Sequence, residues 1–155
     1  MSKTVEVSKG AFAFCRYSLA ALLWAAFFLR HSSPEIASLL LLTVTVILAL
    51  SAALTVGSAP LIVLYTSTIE RLAPSAKETL DIDAMRFAHT LGTLLVGVPL
   101  VLIYAGLPDT AWKILLLVAV AKTAGALGFC GASRLYTCIR SKGSCCGFMC
   151  RCDPK

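Results

Sequence analysis

Charge is scarce in this sequence. Only 14% of its 155 residues are Asp, Glu, Lys or Arg, where a soluble domain of this size carries about 25%. Acidic residues are the rarer sign, 8 against 14 Lys and Arg, and histidine occurs twice. Each absence excludes something. Apolar residues make up 58% of the chain, more than one small soluble core can hide, so lipid is the expected solvent. There is no Ser/His/Asp set on a strained elbow, no Gly-rich phosphate loop and no pair of carboxylates, which points away from an enzyme. His31 and His89 alone are too few for a histidine metal centre. Sustained period-two alternation is missing, which argues against a membrane barrel. No basic helix is interleaved with base-stacking aromatics, so the net charge of +6 does not point to nucleic acid.

Four long apolar runs are present: residues 11–30, 36–56, 84–106 and 112–136. Each is about 20 residues or longer, enough to cross about 30 Å of hydrocarbon at about 1.5 Å per residue. Inside lipid each backbone must satisfy its own hydrogen bonds, so each run is expected to be a helix. The first exceeds the core of a signal peptide and reads as a retained span. Between the second and third runs, residues 60–73 are bracketed by Pro60 and Pro74, with Leu61, Tyr65, Ile69 and Leu72 at helical spacing. That segment is too short to span and reads as an amphipathic helix in the interface. "SAKETLDID" reads as a polar loop. The expected fold is therefore an all-α integral membrane protein, with four transmembrane helices plus one interfacial helix. It divides into a transmembrane domain, residues 1–139, and a Cys-rich basic tail, residues 140–155.

The punctuation agrees. Ser33 suits an N-cap, Pro34 the first helical position and Glu35 the helix dipole. Asp109 or Thr110 is expected to cap the fourth span. Pro99 is expected to kink the third. Four spans put both termini on one side with the second connection. Of the Lys and Arg residues only Arg30 and Lys113 then lie on the opposite side, so the termini are expected to be cytoplasmic. Thiols there are kept reduced.

Several constellations carry candidate chemistry. The tail holds Cys145, Cys146, Cys150 and Cys152, spaced too closely for a closed zinc site but suited to a soft ion held by two or three thiolates. Basic neighbours such as Arg151 favour the thiolate. S-acylation and an inert tail are the competing readings. Cys130, Arg134 and Cys138 recur at i, i+4 and i+8 on the fourth span, where Cys130 reads equally as a small packing residue. Lys122 sits roughly ten residues from either end of that run, about 15 Å deep. A charge there costs at least about 2.5–3.5 kcal/mol, which marks a functional candidate unless tilt brings it to water. Arg86, His89, Thr90 and Thr93 align at the start of the third span, with Arg16 at similar depth in the first. No carboxylate lies within any span. This cationic cluster suits an anion or a lipid phosphate, or simple anchoring of helix ends.

The stretches "YTSTIERLAP", "MRFAHTLGTLLVG" and "GFCGASRLY" occur in the order found in a family of small bacterial inner-membrane proteins, catalogued as a domain of unknown function. The chain resembles that family from about Phe12 to Tyr136. The resemblance implies a bacterial inner-membrane location and the same order of spans, with Arg86, Phe87, Ala88 and His89 matching the family's basic-aromatic-Ala-polar run. The family's fourth span often carries two cysteines three apart. Here the first matches Cys130 and the second position is Ser133, which leaves an intramembrane dithiol incomplete.

The reading these observations favour is a small transporter or carrier for a soft metal ion or a sulfur-containing anion. Tail thiolates would handle cargo and Arg86, His89, Lys122 and Arg134 would line the path. A non-catalytic accessory subunit of a larger membrane complex, with Gly92, Gly97, Gly125 and Gly128 as close packing faces, is the second reading; its partners would be other subunits or, in a homo-oligomer, further copies of the chain. A membrane thiol oxidoreductase is the third.

Overall fold

The computed structural model of the chain describes residues 4–54, 58–70, 75–129 and 136. Within them the order is β1 (Thr4–Ser8), α1 (Lys9–Leu29), α2 (Pro34–Ala53), α3 (Pro60–Thr68), β2 (Lys77–Asp81), α4 (Ile82–Tyr104) and α5 (Pro108–Ala126). Three of these helices, α1, α2 and α4, are long and apolar enough to cross a membrane.

The helices form where the apolar runs predict them, with every start two to four residues earlier. Short turns fold α1 against α2 and α4 against α5, while α2 packs chiefly on α4 and α5 also packs on α1. The inward stripe of α2 is Ala37, Leu41, Val44, Leu48 and Ser51, alternating steps of four and three that keep one seam facing its neighbours. Leu23, Leu41, Leu48, Val96 and Leu115 are fully buried at the centre. The opposite faces are apolar as well: Leu117 is 71% and Val101 66% exposed, which suits lipid and would be costly in water.

Pro34 and Pro108 occupy first helical positions, where their missing N–H costs nothing. The expected Asp109 or Thr110 cap is not made. Leu107 takes the cap position, and Asp109 falls in the first turn, where it complements the dipole. Ser33 holds its expected position without a side-chain hydrogen bond.

Three further expectations are corrected. The fourth helix does not run unbroken to residue 136: it stops at Ala126, where Gly128 adopts φ +105°. The Gly128 N–H bonds the Gly125 carbonyl at 3.2 Å and the Phe129 N–H bonds that of Ala124 at 3.0 Å. This is the paired closure that a left-handed glycine allows. The helix after Pro60 ends at Thr68, and its outer side carries exposed Val63 and Leu64, so these nine residues are apolar on both sides rather than amphipathic. Finally, the polar segment before the third span is not a loop throughout: Lys77–Asp81 is a strand, and it meets a second strand at Thr4–Ser8. They pair as an antiparallel ribbon, Thr4 opposite Asp81 through Ser8 opposite Lys77. In "TVEVS" Val5 and Val7 turn inward while Thr4 and Glu6 turn out. An exposed Lys77–Glu6 contact of 4.0 Å adds little to such a pair.

The ribbon is fastened to the bundle. The Lys9 N–H donates to the Ala76 carbonyl at 2.9 Å, the Gly10 N–H to Ser75 Oγ at 3.1 Å, and the Ser8 and Ser75 hydroxyls bond each other. Ser8 Oγ also accepts from Ala11 N–H as the N-cap of α1. Its end of the bundle is the end where α1 and α4 begin and α5 finishes.

Candidate functional site

A cavity of about 390 Å³ lies between α1, α4, α5 and the strand β2, and it is not sealed from its surroundings. Phe12, Cys15, Arg16 and Leu19 of α1 line it, steps of three and four along one face. Ala84, Met85, Ala88 and His89 contribute from α4 and Lys122, Gly125 and Ala126 from α5. Thr79, Leu80 and Asp81 close it from β2. Most of the wall is apolar. The polar groups are two cations, an imidazole, a thiol, a hydroxyl and one carboxylate.

Arg16 reaches the cavity from the second turn of α1. Its guanidinium lies over the Phe12 ring at 5.3 Å, a favourable cation–π placement. Its Nη2 is buried and has no hydrogen-bond partner among the described residues. A buried guanidinium nitrogen left without an acceptor costs free energy, so an acceptor from outside the chain would find a prepared donor.

Lys122 sits just before the last turn of α5, because that helix ends at Ala126. Its Cα is therefore about 6 Å from the helix end at the usual rise, not the 15 Å expected from an unbroken run. Helical side chains tilt toward the N-terminus, which carries this one back into the bundle. There Gly92 of α4 makes room: a Cβ on Gly92 would lie 2.6 Å from Lys122 Nζ and 3.5 Å from the Leu48 methyl groups. Nearby, Trp24 Nε1–H donates to Thr123 Oγ1 at 3.0 Å, and Thr123 donates to the Ala119 carbonyl at 2.8 Å. This chain ties α1 to α5 one residue from the lysine.

Asp81 is the only carboxylate in the wall among the described residues. Its Oδ1 accepts from the Asp83 and Ala84 N–H groups at 2.9 and 3.4 Å. Its charge is thereby directed at the N-terminus of α4, where a helix dipole favours it.

The structure thus brings together Arg16, His89 and Lys122, which the sequence places on three separate helices. It does not bring in Arg86, which is exposed on another side of α4. Thr90 and Thr93 face a second groove with Ala49, Ala52 and Ala53 of α2. Their hydroxyls donate to the Arg86 and His89 carbonyls, both at 2.9 Å, so they do not line the cationic cavity as expected. Cys130, Arg134, Cys138, Cys145, Cys146, Cys150 and Cys152 lie outside the described residues. Among the described residues no group of three or more His, Cys, Asp or Glu side chains could hold a metal ion. Of the glycines expected to pack against neighbours, Gly92 does so, while a Cβ on Gly97, Gly125 or Gly128 would meet nothing within 4 Å.

Two cavity residues had weak sequence signals. Cys15 is a buried free thiol, 3% exposed. Its i+3 and i+4 relation to Phe12 and Leu19 is the clue to its facing. Asp81 could be placed only by knowing that its segment is a strand ending in a helix cap.

The profile of a family described as a domain of unknown function, DUF4395, matches residues 11–141. No curated protein and no solved structure matches the chain.

Proposed function

The chain belongs to the DUF4395 family, and we propose that it is a small four-span membrane carrier that takes an anion into the cavity between α1, α4 and α5. The observation that carries this reading is the buried Nη2 of Arg16, without an acceptor among the described residues, at the wall of a cavity that also holds Lys122 and His89. Charge-assisted hydrogen bonds from such groups are the strong ones, and they strengthen where water is excluded. A sulfur-containing anion is the preferred cargo, because the soft sulfur atoms of Cys15 and Met85 share the wall with the cations. The fourth crossing would be α5, about 28 Å long at the usual rise. The excess of basic residues around the ribbon end supports a cytoplasmic orientation for that end, in the bacterial inner membrane that the family resemblance implies.

The test is uptake of radiolabelled thiosulfate into liposomes reconstituted with the purified full chain. Accumulation well above protein-free liposomes, saturable and abolished by Arg16→Gln, is expected. Uptake no greater than through bare lipid, together with stoichiometric co-purification of another membrane protein, would replace the carrier with an accessory subunit.

A further inference from the structure

The cavity is far larger than the anion that its cations could grip. Resting on the carrier reading above, we propose that its ligand is an amphiphilic monoanion: one acidic head held by Arg16 and Lys122, attached to an apolar body that fills the rest of the space.

Three observations carry this. The first is volume. A water molecule claims about 30 Å³, so even at that share per heavy atom a five-atom oxyanion such as thiosulfate would need only about 150 Å³. The cavity has about 390 Å³, within the range of about 300–1,000 Å³ that suits organic ligands. The second is segregation. Arg16, His89 and Lys122 supply the polar contacts, while Phe12, Leu19, Leu80, Met85 and Ala88 supply apolar wall. A fully hydrated ion would leave that apolar surface wet. An apolar body covering it gains about 25 cal/mol for each Å² removed from water. The third is charge. Among the described wall residues, two cationic side chains and the Asp81 carboxylate leave one formal positive charge, which one negative head neutralises. A sulfonate, carboxylate or phosphodiester head shares this chemistry, and so does an anionic lipid of the surrounding bilayer.

Binding of radiolabelled octanesulfonate to the full chain in phosphatidylcholine nanodiscs, net of empty discs, tests the proposal. Saturable binding is expected, with octanoate competing comparably. Methanesulfonate, which lacks the body, and octanol, which lacks the charge, should each compete at least about tenfold more weakly, from the loss of burial and of the charged contact respectively. Ala88→Phe, which fills the apolar part, should weaken octanesulfonate at least about tenfold. Replacing part of the phosphatidylcholine with phosphatidylglycerol identifies the source. Suppressed octanesulfonate binding makes the occupant a bilayer lipid, and unchanged binding makes it a soluble organic acid. If methanesulfonate competes as well as octanesulfonate, the apolar body contributes nothing; the proposal falls and the anion carrier stands. If neither octanesulfonate nor thiosulfate binds saturably, both fall.

Discussion

Replacing Lys122 with Met is expected to lower thiosulfate uptake by about ten- to a hundredfold while leaving insertion and stability nearly unchanged. The magnitude follows from electrostatics. Two unit charges 4 Å apart at the effective dielectric of a partly buried site interact by about 4 kcal/mol. Desolvation of the anion and of the amine offsets part of this, and the remaining 1.4–3 kcal/mol is about ten- to a hundredfold in binding. Met is the informative replacement because it keeps an unbranched stem of similar volume, so the packing beside Gly92 and Leu48 survives. Lys113→Met is the control: that lysine is exposed near the start of α5, at the far end from the cavity. Its removal should leave uptake within about twofold, because an exposed charge is screened beyond a Debye length of about 8 Å. Equal loss in both variants would mean that net charge, not the cavity, governs uptake.

Gly92→Ala should separate stability from function by moving them in opposite directions. Within a helix, Ala is favoured over Gly by roughly 0.5–1 kcal/mol. Leu48 already stands at ordinary van der Waals distance from the added methyl group, 3.5 Å, so the α2–α4 seam has room for it. Lys122 Nζ does not, at 2.6 Å. It is the far end of a flexible side chain, so it moves and the backbone stays. The variant should resist unfolding by dodecyl sulfate as well as the parent or slightly better, yet take up thiosulfate about three- to tenfold more slowly, because the donor is displaced rather than removed. A variant that loses stability and uptake together would show Gly92 to be a packing residue with no bearing on the amine.

Much of this architecture was legible in the sequence, for a physical reason. A span must be long, apolar and internally hydrogen-bonded, and all three conditions are local. Hence α1, α2 and α4 appear where the apolar runs lie, and Pro34 marks the start of α2. The ribbon was not legible. Its strands have five residues each, and Ser8 meets Lys77 across nearly half the chain; neither strand has a partner in its own neighbourhood to reveal it. The end of α5 was half visible. Glycines crowd residues 125–131, but hydropathy runs on past them, and only the positive φ of Gly128 shows which one breaks the helix. Arg16, His89 and Lys122 were each conspicuous as polar groups in apolar runs. Their meeting depends on which helices are neighbours, and no single stretch of sequence contains that. Arg86 was drawn into the same cluster by its i+3 relation to His89, but the cavity face of α4 runs through Met85, Ala88 and His89 and leaves Arg86 exposed beyond its edge.

The central claim is that an anion enters the space between α1, α4 and α5, and Cys15 reports on that space directly. In a variant whose other cysteines are serine, the rate at which methyl methanethiosulfonate modifies Cys15 should fall several-fold when thiosulfate is saturating. That protection should vanish when Arg16→Gln and Lys122→Met are combined. A rate unaffected by the anion in the parent background, with uptake still intact, would contradict the account: the anion would be travelling by another route.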